Sequence, residues 1–179
     1  MPPATIAIEL DHVRLGALTW GSDDGPLAVL LHGFPDSAHT WRHLGPVLAE
    51  QGYRVVAPFT RGYAPSGVPI DGRSDVGALM DDAVGVHEAL GGGADAVLVG
   101  HDWGGMTADA LAAHRDSPFR RVVAMAVPPV SALPLRETAR HVPGQVRRSW
   151  YMAFNQLPVL PERSLDRLVP RLWPLRRHS

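Results

Sequence analysis

Six consecutive residues, Gly100-His101-Asp102-Trp103-Gly104-Gly105, constrain this chain more than any other stretch. They follow the continuous apolar run Ala96-Val97-Leu98-Val99 and precede a helical pattern from Met106 to His114. That order describes a sharp strand-to-helix turn that lifts one side chain above a sheet, the elbow usually written G-x-S-x-G. Gly100 and Gly104 have a steric reason: strand and helix backbones pass too close there for a Cβ, and the turn strains its central residue. The raised position holds Asp102 in place of serine. A carboxylate is ionised at neutral pH, needs no base to become nucleophilic, and attacks alkyl carbon. The competing reading of Asp102 is an ordinary helix N-cap or turn aspartate. His101 precedes the raised residue and is expected to point away from the reacting face, as scaffold.

The rest of the pattern supplies a sheet for that turn. Thr5 to Leu10 and Val13 to Trp20 alternate apolar and polar residues around a short Asp11-His12 turn, which predicts an antiparallel opening pair. Thereafter the apolar runs are continuous, at 27–31, 53–57, 96–99 and 122–127, as expected for strands covered on both faces. Helical stripes lie between them. One is Trp41, Leu44, Val47 and Leu48. Another is Val76, Leu79, Met80, Ala83, Val84, His87 and Leu90, with Ser74 as N-cap and Gly91-Gly92-Gly93 as the stop. Strands alternating with helices predict an α/β fold, a mostly parallel sheet with right-handed crossovers. After Val127 the chain becomes rich in arginine and punctuated by proline, which limits it to short helices.

At 179 residues, 45% hydrophobic and 20% charged, the chain has the length of one globular core. The absence of cysteine excludes disulfides, thiolate metal sites and a cysteine nucleophile. No signal-like or membrane-spanning run is present, so a cytoplasmic protein is the expectation, with no membrane partner. The net charge of −1 conceals a split: residues 1–116 sum to −9 and residues 117–179 to +8, without a single lysine. Because the late arginines are scattered, they read as a solvated helix surface and not as a nucleic-acid patch. No cofactor or metal is called for.

A second motif ends the first buried strand. His32-Gly33-Phe34-Pro35 leads into a loop about seventy residues before the elbow, where a backbone N–H paired with the one after the nucleophile would make a two-donor oxyanion hole.

Together these residues resemble the N-terminal part of an α/β-hydrolase, most like the epoxide hydrolases and their haloalkane dehalogenase relatives. The resemblance runs through His32-Gly33-Phe34-Pro35-Asp36-Ser37, Trp41-Arg42, Arg61-Gly62-Tyr63-Ala64-Pro65-Ser66-Gly67, the Gly100–Gly105 elbow, and Ser149-Trp150-Tyr151-Met152. It implies that Asp102 attacks an epoxide carbon to form an alkyl ester, and that Phe34 and Trp103 supply the hole's amides. It implies that Tyr151, on a first cap helix, is one of two tyrosines hydrogen-bonded to the epoxide oxygen, and that Pro35 is cis. It further implies a core unit over residues 1–130, the start of a helical cap over 131–179, and a small apolar substrate such as an epoxide. The acid opposite the carboxylate has a physical reason, since the leaving oxygen acquires charge as the ring opens. Packing within the cap is the alternative for Tyr151.

A dehalogenase would place indole or amide donors around the halide. Trp103 suits that chemistry, and Trp150 is a second indole, but Phe34 has no side-chain donor. The family pattern also continues beyond what is matched here, to two more strands and to an acid and a histidine that activates water against the ester. Of the nine histidines, His178 is the only late candidate for that role, and no strand precedes it. The chain therefore reads as truncated before the last strands. Its last predicted strand becomes an exposed sheet edge through which copies associate, and a non-catalytic remnant or binding protein is the rival reading.

Overall fold

The computed structural model describes residues 2–127, residues 162–172 and the single positions 144, 150, 154 and 160. Residues 1–127 and 128–179 form two compact units. In the first, six strands make one sheet in the order β1-β2-β4-β3-β5-β6. They are β1 (Ala4–Glu9), β2 (Arg14–Trp20), β3 (Leu27–Leu31), β4 (Arg54–Pro58), β5 (Val97–His101) and β6 (Arg121–Met125). The opening pair is antiparallel, with Ile6 opposite Ala17, and β2 joins β4 antiparallel. From there β4, β3, β5 and β6 run parallel. The fold is the mostly parallel α/β arrangement that the strand and helix pattern predicts.

Continuous apolar runs are explained by two cores, one on each face of the sheet. Val29, Val56 and Leu98 point to the face covered by α2 (Val76–Ala89) and α3 (Trp103–Ala113), packing with Ala83, Val86, Ala108 and Leu111. Their neighbours Ala28, Leu30, Val55 and Ala57 point the other way, onto Trp20, Trp41 and the half-buried Leu44 and Leu48. Period-two alternation of strands thus covers the central runs from both faces, fully at Ala28, Val29, Leu30, Val55, Val56 and Leu98 and in part at Leu31, Val97 and Val99.

Several local expectations need correction. The stripe begun by Trp41 is split: Ala38–Arg42 is a short 3-10 helix and α1 covers Leu44–Glu50. Val47 is 51% exposed, because the shift from 3-10 to α winding turns it off the buried face. Helix α2 is capped by Asp75, whose carboxylate accepts from the Ala78 amide at 3.0 Å, and not by Ser74. The buried face of α2 runs through Ala78, Leu79, Asp82, Ala83 and Val86, rotated from the stripe read in the sequence. Its stop is as expected. Gly91 takes φ +64, and the Gly91 and Gly92 amides close onto the Glu88 and His87 carbonyls in a Schellman cap. Strand β6 ends at Met125 because Ala126 turns to φ 65, and it is not covered on both faces: Arg121, Val123 and Ala124 are exposed at the sheet's margin.

In the second unit, a 3-10 turn over Glu162–Ser164 leads into α4 (Leu165–Leu172), which contains Pro170. Trp150 is half exposed, and its ring centroid lies 5.9 Å from that of Phe154. No helix among the described residues is long and apolar enough to cross a membrane.

Candidate active site

Asp102 sits between β5 and α3 with φ 55 and ψ −117, a backbone state that side chains rarely adopt. Its amide donates to the Met125 carbonyl at 3.2 Å, and its carbonyl accepts from the Met106 amide at 2.9 Å, so both sides of the turn are tied. Its side chain makes no capping bond to α3. Instead Oδ1 accepts from the Phe34 amide at 2.9 Å. That removes the capping role that would make an aspartate unremarkable here, and turns the carboxylate toward the loop after β3.

The glycines are fixed by contact. A Cβ on Gly100 would collide with the Gly104 carbonyl, and one on Gly104 with the carbonyl of Leu31 on β3. Gly105 lies against the Met125 carbonyl, 2.7 Å from an added Cβ. Helix α3 therefore starts at Trp103, three residues before the expected Met106. The two glycines lower local helix propensity, but close packing on β3 and β6 outweighs it.

Gly33 is the matching contact from the other side. A Cβ there would collide with Asp102 Oδ1 and stand 2.7 Å from the Trp103 nitrogen. The Phe34 and Trp103 backbones thus both border the Asp102 carboxylate. The Phe34–Pro35 bond is cis, as is Ala64–Pro65. The loop continues into Asp36, which accepts from the Ser37 amide at 2.8 Å and from the Thr40 hydroxyl.

His32 is 1% exposed, and both ring nitrogens are engaged. Nε2 accepts from the Thr60 amide at 3.0 Å, and Nδ1 lies 3.0 Å from the Gly33 carbonyl. Burial pushes its pKa below the ordinary histidine value, with the Gly33 carbonyl and the Asp36 charge pulling weakly the other way. Tyr63 packs edge-on against this ring at 5.0 Å. Its phenol is pushed up to about 12, first by burial and then by the charges of Asp102 and Asp36.

Sequence reasoning missed the group that fixes the Arg61–Gly67 loop. Arg61 donates through Nε and Nη2 to the two oxygens of Asp82, each at 2.7 Å, and through Nη2 to the Ala78 carbonyl at 2.9 Å. Nη1 reaches the Arg73 carbonyl at 3.0 Å and Asp71 at 3.4 Å. His12, from the β1–β2 turn, meets the same Asp82 at 2.8 Å. One signal was available: Asp82 lies between Leu79 and Val86 on an apolar helix face, where a carboxylate requires a cation.

Of the residues singled out, Asp102, Phe34, Trp103, His32, Gly33, Pro35, Gly100, Gly104 and Gly105 converge on one end of the sheet. His101 is the last residue of β5, half-buried, its backbone in register with Met125. Tyr151 and His178 lie outside the described residues.

This sheet order, with an aspartate raised at the β5–α3 turn against the loop after β3, is the arrangement of an α/β-hydrolase core. The family model for the alpha/beta hydrolase fold matches residues 26–167, and the chain belongs to that family. Among curated relatives, AB hydrolase superfamily protein YfhM of Bacillus subtilis (strain 168) is 36% identical over 160 residues, 88% of this chain and 54% of the relative. Epoxide hydrolase A of Mycobacterium tuberculosis (strain ATCC 25618 / H37Rv) is 35% identical over 188 residues, 96% of this chain and 56% of the relative. The crystal structure of Epoxide Hydrolase A from Mycobacterium thermoresistibile superposes with a TM-score of 0.76 at 33% identity, covering 92% of this chain and 52% of that one. The chain is epoxide-hydrolase-like, and it spans about half the length of these relatives.

Proposed function

We propose that Asp102 is the nucleophile of an epoxide-opening hydrolase acting on a small apolar epoxide. The observation that carries this reading is the Asp102 carboxylate itself. It is held on a strained turn, contributes no cap to α3, and has Oδ1 on the Phe34 amide. With one oxygen so tethered, the other attacks the less hindered epoxide carbon. The C–O bond of the ring breaks, its electron pair stays on the departing oxygen, and an alkyl ester forms on Asp102. The Phe34 and Trp103 amides are the donors for the oxyanion that forms when water later attacks that ester. Tyr151 is assigned the proton donor to the ring oxygen, on resemblance alone. Phe34, with no side-chain donor, favours this chemistry over halide release.

The resemblance implies that a histidine and an acid activate water against that ester, and we infer that residues 26–167, which the family model matches, do not supply them. Residues 26–167 are therefore proposed to carry the reaction as far as the ester. Incubation with styrene oxide followed by intact-mass and peptide analysis tests both statements. One adduct on the peptide containing Asp102, absent in Asp102→Asn, is the expected result. No adduct on folded protein refutes the nucleophile assignment, and sustained diol release that depends on Asp102 refutes the arrest at the ester.

A further inference from the structure

We propose that His32 is a positioning residue that locks the Gly33–Phe34 peptide in the one orientation that aims the Phe34 N–H at Asp102. The inference rests on the reading of that amide as an oxyanion-hole donor, and it begins with a problem that Gly33 creates. No side chain fits at position 33 beside Asp102 and Trp103, so glycine is required there. Glycine also rotates easily about its own backbone bonds, which leaves the peptide that follows it free to flip. A flip would withdraw the amide and present a carbonyl oxygen to the carboxylate.

The C=O and N–H of one trans or cis peptide lie in a common plane, so fixing the carbonyl fixes the amide. The Gly33 carbonyl is held twice, by the Asp36 amide at 3.0 Å and by His32 Nδ1 at 3.0 Å. The Phe34 N–H, on the same peptide, meets Asp102 Oδ1 at 2.9 Å. The role of each ring nitrogen follows from the partner of the other. A backbone N–H can only donate, so Nε2 facing Thr60 carries the lone pair. A neutral imidazole has one proton, which places it on Nδ1, donating to the Gly33 carbonyl. The Thr60 amide thereby selects the tautomer that holds the hole in shape, and the Tyr63 ring closes off another side of the imidazole.

Asparagine places an amide donor near the Nδ1 position, whereas glutamine reaches the Nε2 position and loses the bond to Gly33. The full 179-residue chain is examined by NMR and by the rate of styrene oxide adduct formation. In the wild type the ring nitrogens should show protonated Nδ1 and bare Nε2 at neutral pH, and the Phe34 amide proton should lie downfield and move upfield in Asp102→Asn. His32→Gln should shift the Phe34 amide upfield and slow adduct formation roughly tenfold or more, since misplacement of a reacting group by about 1 Å costs up to ~100-fold. His32→Asn should return both readouts to near wild type. A ring protonated on Nε2, or a Phe34 amide and adduct rate unchanged in His32→Gln, overturns the proposal. The tautomer is read on the unsubstituted protein, so poor folding of a variant leaves that test intact. If no adduct forms in any sample while the tautomer and amide shifts behave as stated, the epoxide reading falls and the positioning role stands.

Discussion

Replacing Asp82 by leucine should destabilise the first unit by about 4 kcal/mol. The Arg61 side chain is 2% exposed and that of Asp82 9%, so removing the carboxylate strands a guanidinium in the interior. Two charge-assisted hydrogen bonds of 2.7 Å are lost, each contributing roughly 1.5–3 kcal/mol. Their sum, about 3–6 kcal/mol, overlaps the ~3–5 kcal/mol typical of a buried pair broken on one side. The Ala78 and Arg73 carbonyls and the more distant Asp71 carboxylate at 3.4 Å remain as partners and keep the loss toward the middle of that range. With a urea dependence of about 2 kcal/mol per molar, the unfolding midpoint should fall by ~2 M. The fluorescence of the buried Trp20 and Trp41 reports it. Arg61→Met combined with Asp82→Leu leaves no stranded charge and should recover more than half of the loss. A single-variant shift under about 0.5 M, or a double variant no better than the single, would refute the claim that this pair secures the loop.

Gly104→Ala should cost about 3 kcal/mol or more and abolish adduct formation, because the new methyl meets the Leu31 carbonyl, whereas Gly67→Ala, with ordinary contacts at 3.5 Å, should melt near wild type. Stability should fall as the pH drops below the ordinary histidine value: the unfolded chain then binds a proton that buried His32 resists, so stability present above about pH 6.5 is lost toward the lowered folded value. The pH dependence of urea midpoints in wild type and His32→Gln checks this, and equal slopes would count against it. Phenolate absorbance should reveal one tyrosine titrating near 12 that disappears in Tyr63→Phe. Between about pH 10 and 12 the unfolded state releases a proton that the folded state keeps, so stability contributed by Tyr63 falls as pH rises through that window.

The sheet and the elbow were legible in the sequence because each residue type there answers a local demand. Glycines mark backbone contacts, continuous apolar runs mark strands buried on two faces, and Gly91 marks a left-handed helix end. What lay hidden was long-range pairing between polar residues. Asp82 is 21 residues from Arg61 and 70 from His12, and neither interval has a period that a pattern could detect. The burial of Asp82 also rotated α2 away from the face its apolar residues suggested, since a paired carboxylate occupies interior space as a leucine would. His32 read as part of a motif, but its two hydrogen bonds depend on where the Thr60 loop returns, which only the fold determines. Asp75 took the cap from Ser74 by one residue, a choice that capping preferences leave nearly equal.

The side chain at 102 is almost idle in holding the turn together. Backbone bonds to Met125 and Met106 and the glycine contacts with Leu31 carry the shape, and the carboxylate adds one bond from Phe34. Scaffold and side chain are therefore separable. Serine or asparagine at this position should fold on the same frame with a stability change within about 1 kcal/mol. On the proposed reading of Asp102, a single codon change exchanges the nucleophile, and with it the bond attacked, while the mount stays in place. A fold so arranged accumulates new reactions by substitution at its tip, with its architecture untouched.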